Sequence, residues 1–459
     1  MGSLAENHHK VIVVGAGPVG VTAAINLARL GVKPLILERN AAIDQSPRAT
    51  SYQACVLAEM METGIYEDLR RQAVVNDALS FWVSEGSQKK RIAQVHKKEG
   101  GDHFPQGLNC GQPTLTTIIL DHLITHYDAQ VLFRQKVTNL TQTGALVTIT
   151  CTDPATGEPS VYTCDWLIGA DGAGSTVRKL LDIEFEGFSW PKEDFVATNL
   201  VYPFDKYGFS TANFLVDPVH WAVITVIDGK LWRCAFGVKP GMDNERIRAE
   251  LDEHFRHILP GWEEEGGKYE LVQLNRYKPH QRCASQYRKG RCLLAGDAAH
   301  SNNPVGGLGL TTGLLDAGPL GRALGAVISG RAPESILDTW AEARRDKWLT
   351  FTNAFSIENK RMIQKGGHGV DPLGIWELDD VAKQHRMERW ISTATSAMIS
   401  ADAAFFRSLD DPASQLKSRM RQWAITMDPL WMAEYEDKDI VDRRMALRPP
   451  NDAIAAALA

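Results

Sequence analysis

Residues 10–38 read KVIVVGAGPVGVTAAINLARLGVKPLILE, and this stretch decides the fold. Lys10 to Val14 is an apolar strand. Gly15-Ala16-Gly17-Pro18-Val19-Gly20 follows at once, and a helix runs through Ala23, Ala24, Leu27, Ala28 and Leu30 to Gly31. A second strand, Val32 to Leu37, ends in Glu38. In a dinucleotide-binding βαβ unit the first glycine makes the tight turn, the second lets a pyrophosphate approach the backbone, and the third lets the helix pack on the strand. Those roles fall to Gly15, Gly17 and Gly20. A carboxylate about 20 residues further on meets the ribose hydroxyls, and a glutamate there, Glu38, suits the free hydroxyls of FAD or NAD better than NADP.

A second stretch, residues 290–317, GRCLLAGDAAHSNNPVGGLGLTTGLLDA, has the same grammar. Arg291 to Ala295 form a short apolar strand with Gly296-Asp297 at its carboxyl end, and Gly306-Gly307-Leu308-Gly309 leads into a helix. Ligands of open α/β sheets bind past the carboxyl ends of strands. An acid there accepts hydrogen bonds from sugar-like hydroxyls, and helix-start amides receive a negatively polarised ring.

At 459 residues the chain needs two or three domains. Its net charge of −6 excludes the basic footprint of a nucleic-acid binder. Seven scattered cysteines without a CxxC pair read as reduced thiols of a cytoplasmic protein, neither a disulfide frame nor a zinc site. The amino terminus, MGSLAENHHK, shows no signal region, and no window is long and apolar enough to span a membrane.

Between the two stretches, Ser46 to Thr50 is a loop in which Arg48 either reaches a diphosphate or is merely solvated. Leu79 to about Phe104 alternates like strands. The helix Thr114 to Tyr127 places His122 and His126 at i, i+4, but no third ligand accompanies them and no metal is expected. Val131 to Thr163 reads as a small antiparallel meander. Asp165-Trp166-Leu167-Ile168-Gly169-Ala170-Asp171-Gly172 follows as a separate buried strand, with Ser175, Val177 and Arg178 opening a helix. Glu184 to Arg282 alternates again and is rich in aromatics, as suits a sheet core or an apolar pocket. Beyond Arg331 the pattern is helical through Met362. An apolar stripe from Met387 to Phe405 reads as core or dimer contact, before a tail with Trp423, Trp431 and Pro449-Pro450.

Three signals stand in order: Gly15-x-Gly17-x-x-Gly20 with Glu38, Gly169-Ala170-Asp171-Gly172 with Arg178, and Gly296-Asp297-Ala298-Ala299-His300 with Pro304-x-Gly306-Gly307. Together they resemble the single-component FAD-dependent monooxygenases of the p-hydroxybenzoate hydroxylase type. The resemblance implies an α/β fold: a Rossmann-like FAD-binding domain, discontinuous over 8–78, 105–183 and 284–365; an inserted β-sheet substrate domain, 79–104 and 184–283; and a helical C-terminal region, 366–459. It assigns Gly15, Gly17, Gly20 and Glu38 to the ADP half of FAD, Arg48 and Gln112 to the flavin side, Asp171 and Arg178 to a motif serving FAD and the pyridine nucleotide, and Asp297 to the ribityl chain. Pro304, Gly307, Gly309 and Leu310 then form the wall beside the ring, and Pro18, Val19, Arg39 and Val137 complete the cofactor contacts. Two departures from the family pattern are Gly307-Leu308-Gly309-Leu310-Thr311 in the wall and Asp316-Ala317-Gly318-Pro319-Leu320 beyond it. The proline predicts a kink or a late helix start.

The implied activity is that of a monooxygenase using FAD, NADPH or NADH, and O2 to hydroxylate an aromatic or polycyclic small molecule, the chemistry being the cofactor's. Baeyer–Villiger oxidation or epoxidation by the same flavin-and-oxygen chemistry remains open, as does an oxygen-independent flavin dehydrogenase or reductase. For a phenolic substrate, Tyr202 and His220 are the candidate bases. A monomer or homodimer is expected.

Overall fold

The computed structural model describes residues 7–46, 48–85, 87–96 and 107–364. Its central sheet has eight strands. His8–Val14 lies in the middle, parallel to Leu35–Leu37 on one edge and to Pro159–Gly169 on the other. The buried run Val11 to Val14 is the unbroken apolar type that a parallel strand covered on both faces requires. Leu35–Leu37 continues the parallel order to Gln130–Leu132, and Pro159–Gly169 to Cys292–Leu294.

The expected meander and the buried strand after it share one continuous strand, Pro159–Gly169. That strand changes partners along a single edge. Its first half pairs antiparallel with Val147–Thr152, and its last residues pair parallel with Cys292–Leu294. A sequence pattern records burial but not a change of neighbour, which is why one strand reads as two.

The second large sheet has seven strands in the order Glu270–Tyr277, Asp194–Val201, Leu231–Val238, Ala222–Asp228, Ala212–Val216, Ala78–Glu85 and Gln88–His96. All its pairs are antiparallel except Ala212–Val216 with Ala78–Glu85. Within this alternating region the structure also has two helices, Asn244–Ala249 and Leu251–Ile258. Their signal is a helical spacing of Ile247, Leu251, Phe255 and Ile258, all buried against the aromatic core of the sheet. Two small sheets join the large ones. Ser51–Tyr52, Gly107–Asn109 and Val74–Asn76 form one, and Phe185–Ser189, His280–Ala284 and His300–Ser301 the other.

The helix Leu308–Ile328 begins directly after Gly307 and runs through Pro319, so the expected late start does not occur. Every residue from Thr311 to Ala326 is buried, and packing outweighs the one missing N–H. On the turn before the proline, Trp340 Nε1 donates to the Asp316 carbonyl (3.2 Å), and Arg344 Nη2 lies 3.4 Å from that of Thr312. Ile336–Lys347, a π-turn at Trp348–Thr352 and Asn353–Ile363 continue the helical pattern. Among the described residues no helix is long and apolar enough to cross a membrane, and all seven cysteines are buried free thiols. The stripe from Met387, the tryptophans of the tail and the proposed region 366–459 lie outside the described residues.

The first helix, Pro18–Ala28, crosses Leu308–Ile328 at glycines. A methyl group at Gly321 would stand 2.6 Å from Asn26 Cβ and 2.7 Å from the Ala23 carbonyl oxygen, and one at Gly325 would stand 2.5 Å from Leu30 Cδ1. Gly321→Val is therefore expected to lower stability by about 1–3 kcal/mol, the usual cost of overpacking. Urea unfolding followed by circular dichroism measures it; an unchanged midpoint would show that the helices do not approach this closely.

Candidate active site and cofactor cradle

The glycine turn after the first strand is built as its spacing requires. Gly15 has φ +106°, and a methyl there would lie 2.4 Å from the Ala170 oxygen; at Gly20 it would lie 2.0 Å from the Gly15 oxygen. At Gly17 it would meet nothing within 4 Å. Gly15 and Gly20 thus serve internal packing, and Gly17 leaves an open approach to the backbone at the helix start. Glu38 closes the turn: one carboxylate oxygen accepts from the Ala16 amide (2.8 Å) and the other from that of Asn40 (2.9 Å). Each oxygen keeps a lone pair for a hydroxyl donor. Pro18 is buried at the start of the helix, whereas Arg39 is exposed. Val137 has its side chain in the core, and the neighbouring Gln135 amide donates to the Glu38 carbonyl (2.8 Å).

Val19 sits between the two sequence motifs. Methyl groups at Gly296 and Gly313 would come within 2.7 Å and 2.8 Å of its Cγ2, so both glycines admit it. Asp297 follows Gly296 and is the single exposed residue in the run Cys292–Ser301. Surrounding protein nevertheless pushes its carboxyl above the ordinary range by burial, with Asp316 adding to the effect while His300 and Arg48 pull it back. The side chain thus lies on the wall of a recess that solvent reaches from within the fold.

Beneath that wall is a buried network absent from the sequence reading. His300 Nε2 donates to Asp316 Oδ2 (2.6 Å), which also accepts from the Gly296 amide (3.0 Å), and Arg344 Nε donates to Asp316 Oδ1 (2.7 Å). Burial alone would raise the Asp316 carboxyl, but His300 and Arg344 outweigh it and hold it below the ordinary value. The available signal was a carboxylate inside a helix made mostly of apolar and small residues.

Asp171 is engaged locally. It accepts from Ser175 Oγ (2.5 Å) and from the Thr176 and Val177 amides (2.7 and 3.1 Å), fixing the start of the helix Thr176–Leu180. Arg178 projects from that helix, donates to the Ala298 carbonyl (2.7 Å) and lies 3.7 Å over the Phe185 ring. The second motif therefore braces the third. The loop before Leu308–Ile328 is closed by the Gly307 amide donating to the Pro304 carbonyl (3.0 Å), with Gly307 at φ +68°. The first-turn amides, those of Gly309 and Leu310 among them, lack intrahelical acceptors by geometry.

Arg48 and Gln112 line one cavity of about 560 Å³ between the cofactor elements and the seven-stranded sheet, whose own contribution includes Asn199, Arg233 and Gln273. Arg48 pairs with Asp44 in its own loop (3.2 Å). Arg233 is buried, its pKa lowered to about 10 by burial, and among the described residues no carboxylate pairs with it. Its sequence signal was a charge inside the strand Leu231–Val238. The expected bases do not reach this cavity. Tyr202 is buried in the core and donates to the Pro260 carbonyl (2.5 Å), while His220 stacks on His257 at 4.1 Å. Burial and His257 lower the pKa of His220. His122 is bonded to Asp68 (2.6 Å).

Cradle, recess and cavity fit FAD: open backbone at Gly17, a carboxylate with free lone pairs at Glu38, an exposed acid at Asp297, and side-chain donors at Arg48 and Gln112 on the cavity wall. A family model described as an FAD-binding domain matches residues 8–351. The chain is 37% identical over 350 residues to para-nitrophenol 4-monooxygenase of Pseudomonas sp. (strain WBC-3), covering 76% of this chain and 86% of that protein. It is 35% identical over 364 residues to 6-hydroxy-3-succinoylpyridine 3-monooxygenase of Pseudomonas putida (strain DSM 28022 / S16), covering 78% and 91%. The crystal structure of p-nitrophenol 4-monooxygenase from Pseudomonas putida DLL-E4 matches with a TM-score of 0.75 and 32% identity over 84% of this chain and 98% of that one. The chain belongs to the single-component FAD-dependent aromatic hydroxylases, monooxygenases that carry FAD and are reduced by NAD(P)H.

Proposed function

We propose that the protein hydroxylates a small aromatic ring that already bears a hydroxyl group, with O2 as the oxygen source. Both relatives named above act, by their names, on rings of this kind, a nitrophenol and a hydroxypyridine. The observation that carries the reading in this chain is Arg233, a buried guanidinium on the cavity wall that pairs with no carboxylate among the described residues. An unneutralised cation favours the ionised form of a nearby hydroxyl, so an aromatic alcohol entering this cavity is activated without a dedicated base at Tyr202 or His220.

The cofactor supplies the redox chemistry when bound; the protein supplies place and field. In this assignment Gly17 admits the pyrophosphate, with Gly15 and Gly20 shaping the turn that presents it, Glu38 holds the adenosine ribose, Asp297 the ribityl chain, and Arg48 and Gln112 the flavin side. The first-turn amides of Leu308–Ile328 give the ring a positive helix end. Val305, buried among Phe81, Phe195, Phe214 and Trp221, keeps the adjoining wall dry. The proposed domain division follows the sheets: the eight-stranded sheet for the cofactor, the seven-stranded one for the substrate. Free buried thiols suit a cytoplasmic enzyme, acting as monomer or homodimer.

Asp297→Ala is expected to weaken FAD binding about ten- to a hundredfold, the loss of one hydrogen bond to a charged group. Flavin-fluorescence titration of the apoprotein measures it, and an affinity equal to the parent's would refute the placement. For the reaction, hydroxylated benzenes and pyridines incubated with holoenzyme, NADH or NADPH and 18O-labelled O2 are expected to gain one labelled atom on a ring carbon. Ring expansion would identify Baeyer–Villiger chemistry, and turnover without oxygen uptake a dehydrogenase.

A further inference from the structure

Gln45, Arg48 and Thr50, in the loop that carries Arg48, are pinned to the seven-stranded sheet by one row of polar side chains. Gln273, Asn199, Arg233 and Thr225 stand directly opposite one another on four adjacent strands: Asn199 is in register with Gln273 on one side and with Arg233 on the other, and Arg233 with Thr225. Gln273 Nε2 donates to the Gln45 carbonyl (3.0 Å), Asn199 Nδ2 to Gln273 Oε1 (2.7 Å), and Arg233 Nε to Asn199 Oδ1 (2.7 Å). Arg233 Nη1 donates to the Arg48 carbonyl, and the Thr225 hydroxyl is bonded to that of Thr50 (3.0 Å). The row therefore grips the loop near its start, at Arg48 and near its end.

Two features make Asn199 the middle of this device. Its amide is used in both directions, donating to Gln273 and accepting from Arg233, so a flipped amide would oppose donor to donor. The ladder between Asp194–Val201 and Glu270–Tyr277 shifts register between Asn199 and Leu200, and such irregularities re-aim a side chain. A neutral residue here also orients Arg233 without cancelling its charge, which an aspartate would do.

We propose that Gln273, Asn199 and Thr225 are positioning residues that act through Gln45, Arg233 and Thr50 to set Arg48 against the cofactor, and so link the two large sheets. The inference rests on the cofactor placement proposed above. A shift of about 1 Å in a positioning group lowers function by up to about a hundredfold.

The test uses the full chain with Asn199→Leu, Thr225→Val and the conservative Thr225→Ser. In apoprotein, trypsin is expected to cut after Arg48 several times faster in Asn199→Leu and Thr225→Val than in the parent, with Thr225→Ser close to the parent. FAD affinity should fall about tenfold, as expected of a displaced contact, and a larger share of oxidised NADH should yield peroxide instead of hydroxylated product. Asn199→Asp should restore the grip on Arg233 yet still hydroxylate poorly, because it neutralises that charge. Parent-like cleavage and FAD affinity in folded Asn199→Leu overturn the proposal, and so does a loosened loop with unchanged FAD affinity and coupling. If Asn199→Leu does not fold, Thr225→Val decides by the same readouts. Loss of FAD by Asp297→Ala beside unaffected row variants would show that the row fails while the cofactor placement stands.

Discussion

The fold depends on the close crossing of two helices from opposite ends of the described chain, Pro18–Ala28 and Leu308–Ile328. Glycines at 313, 321 and 325 remove the side chains that would keep the helices apart, and Gly296 admits Val19 from the strand end beside them. This approach brings the carboxyl end of His8–Val14 next to that of Cys292–Leu294, with Pro159–Gly169 between. Gly17, Asp171 and Asp297 thereby share one edge of the sheet. Helix packing of this kind fixes position to within a fraction of a side chain because interiors are close-packed.

The Gly296-Asp297 turn is held from beneath by charge. Asp316 receives the Gly296 amide, His300 and Arg344 at one buried carboxylate. A buried carboxylate is tolerated only when paired and hydrogen-bonded, and each of these partners also connects another element: His300 the small sheet, Arg344 the helix Ile336–Lys347. The network turns an electrostatic obligation into a brace under Asp297, whose own carboxyl stays exposed. A second buried pair, Arg322 with Glu59 at 2.7 and 2.9 Å, ties the same long helix to Ala54–Thr63.

The parallel sheet, the glycine turn and the acids at strand ends were legible in the sequence because each rests on local spacing. Gly15, Gly17, Gly20, Glu38 and Asp297 stand where the three motifs put them. Contacts across the chain were not legible. Tyr202 and His220 were chosen for residue type within the right sheet, and type does not tell which face or level of a strand a side chain occupies. Arg233 and Asn199 were passed over because their partners, Arg48 and Gln273, lie far away in sequence.

The departures around Leu308, Thr311 and Pro319 change less of the backbone than their residue types suggest. Pro319 is absorbed within a helix whose surroundings are buried on all sides. Thr311 turns its hydroxyl back to the Gly307 carbonyl (2.9 Å), stabilising the first turn and presenting no side-chain donor outward through that bond. Leu308 is buried. The polar face offered at this helix start is therefore made of backbone amides rather than side chains. Amides of a fixed turn cannot rotate away or titrate, so this helix start presents a fixed positive end rather than adjustable side-chain donors. Under the function proposed above, discrimination among substrates would fall to the residues of the opposing sheet, where the charge of Arg233 stands.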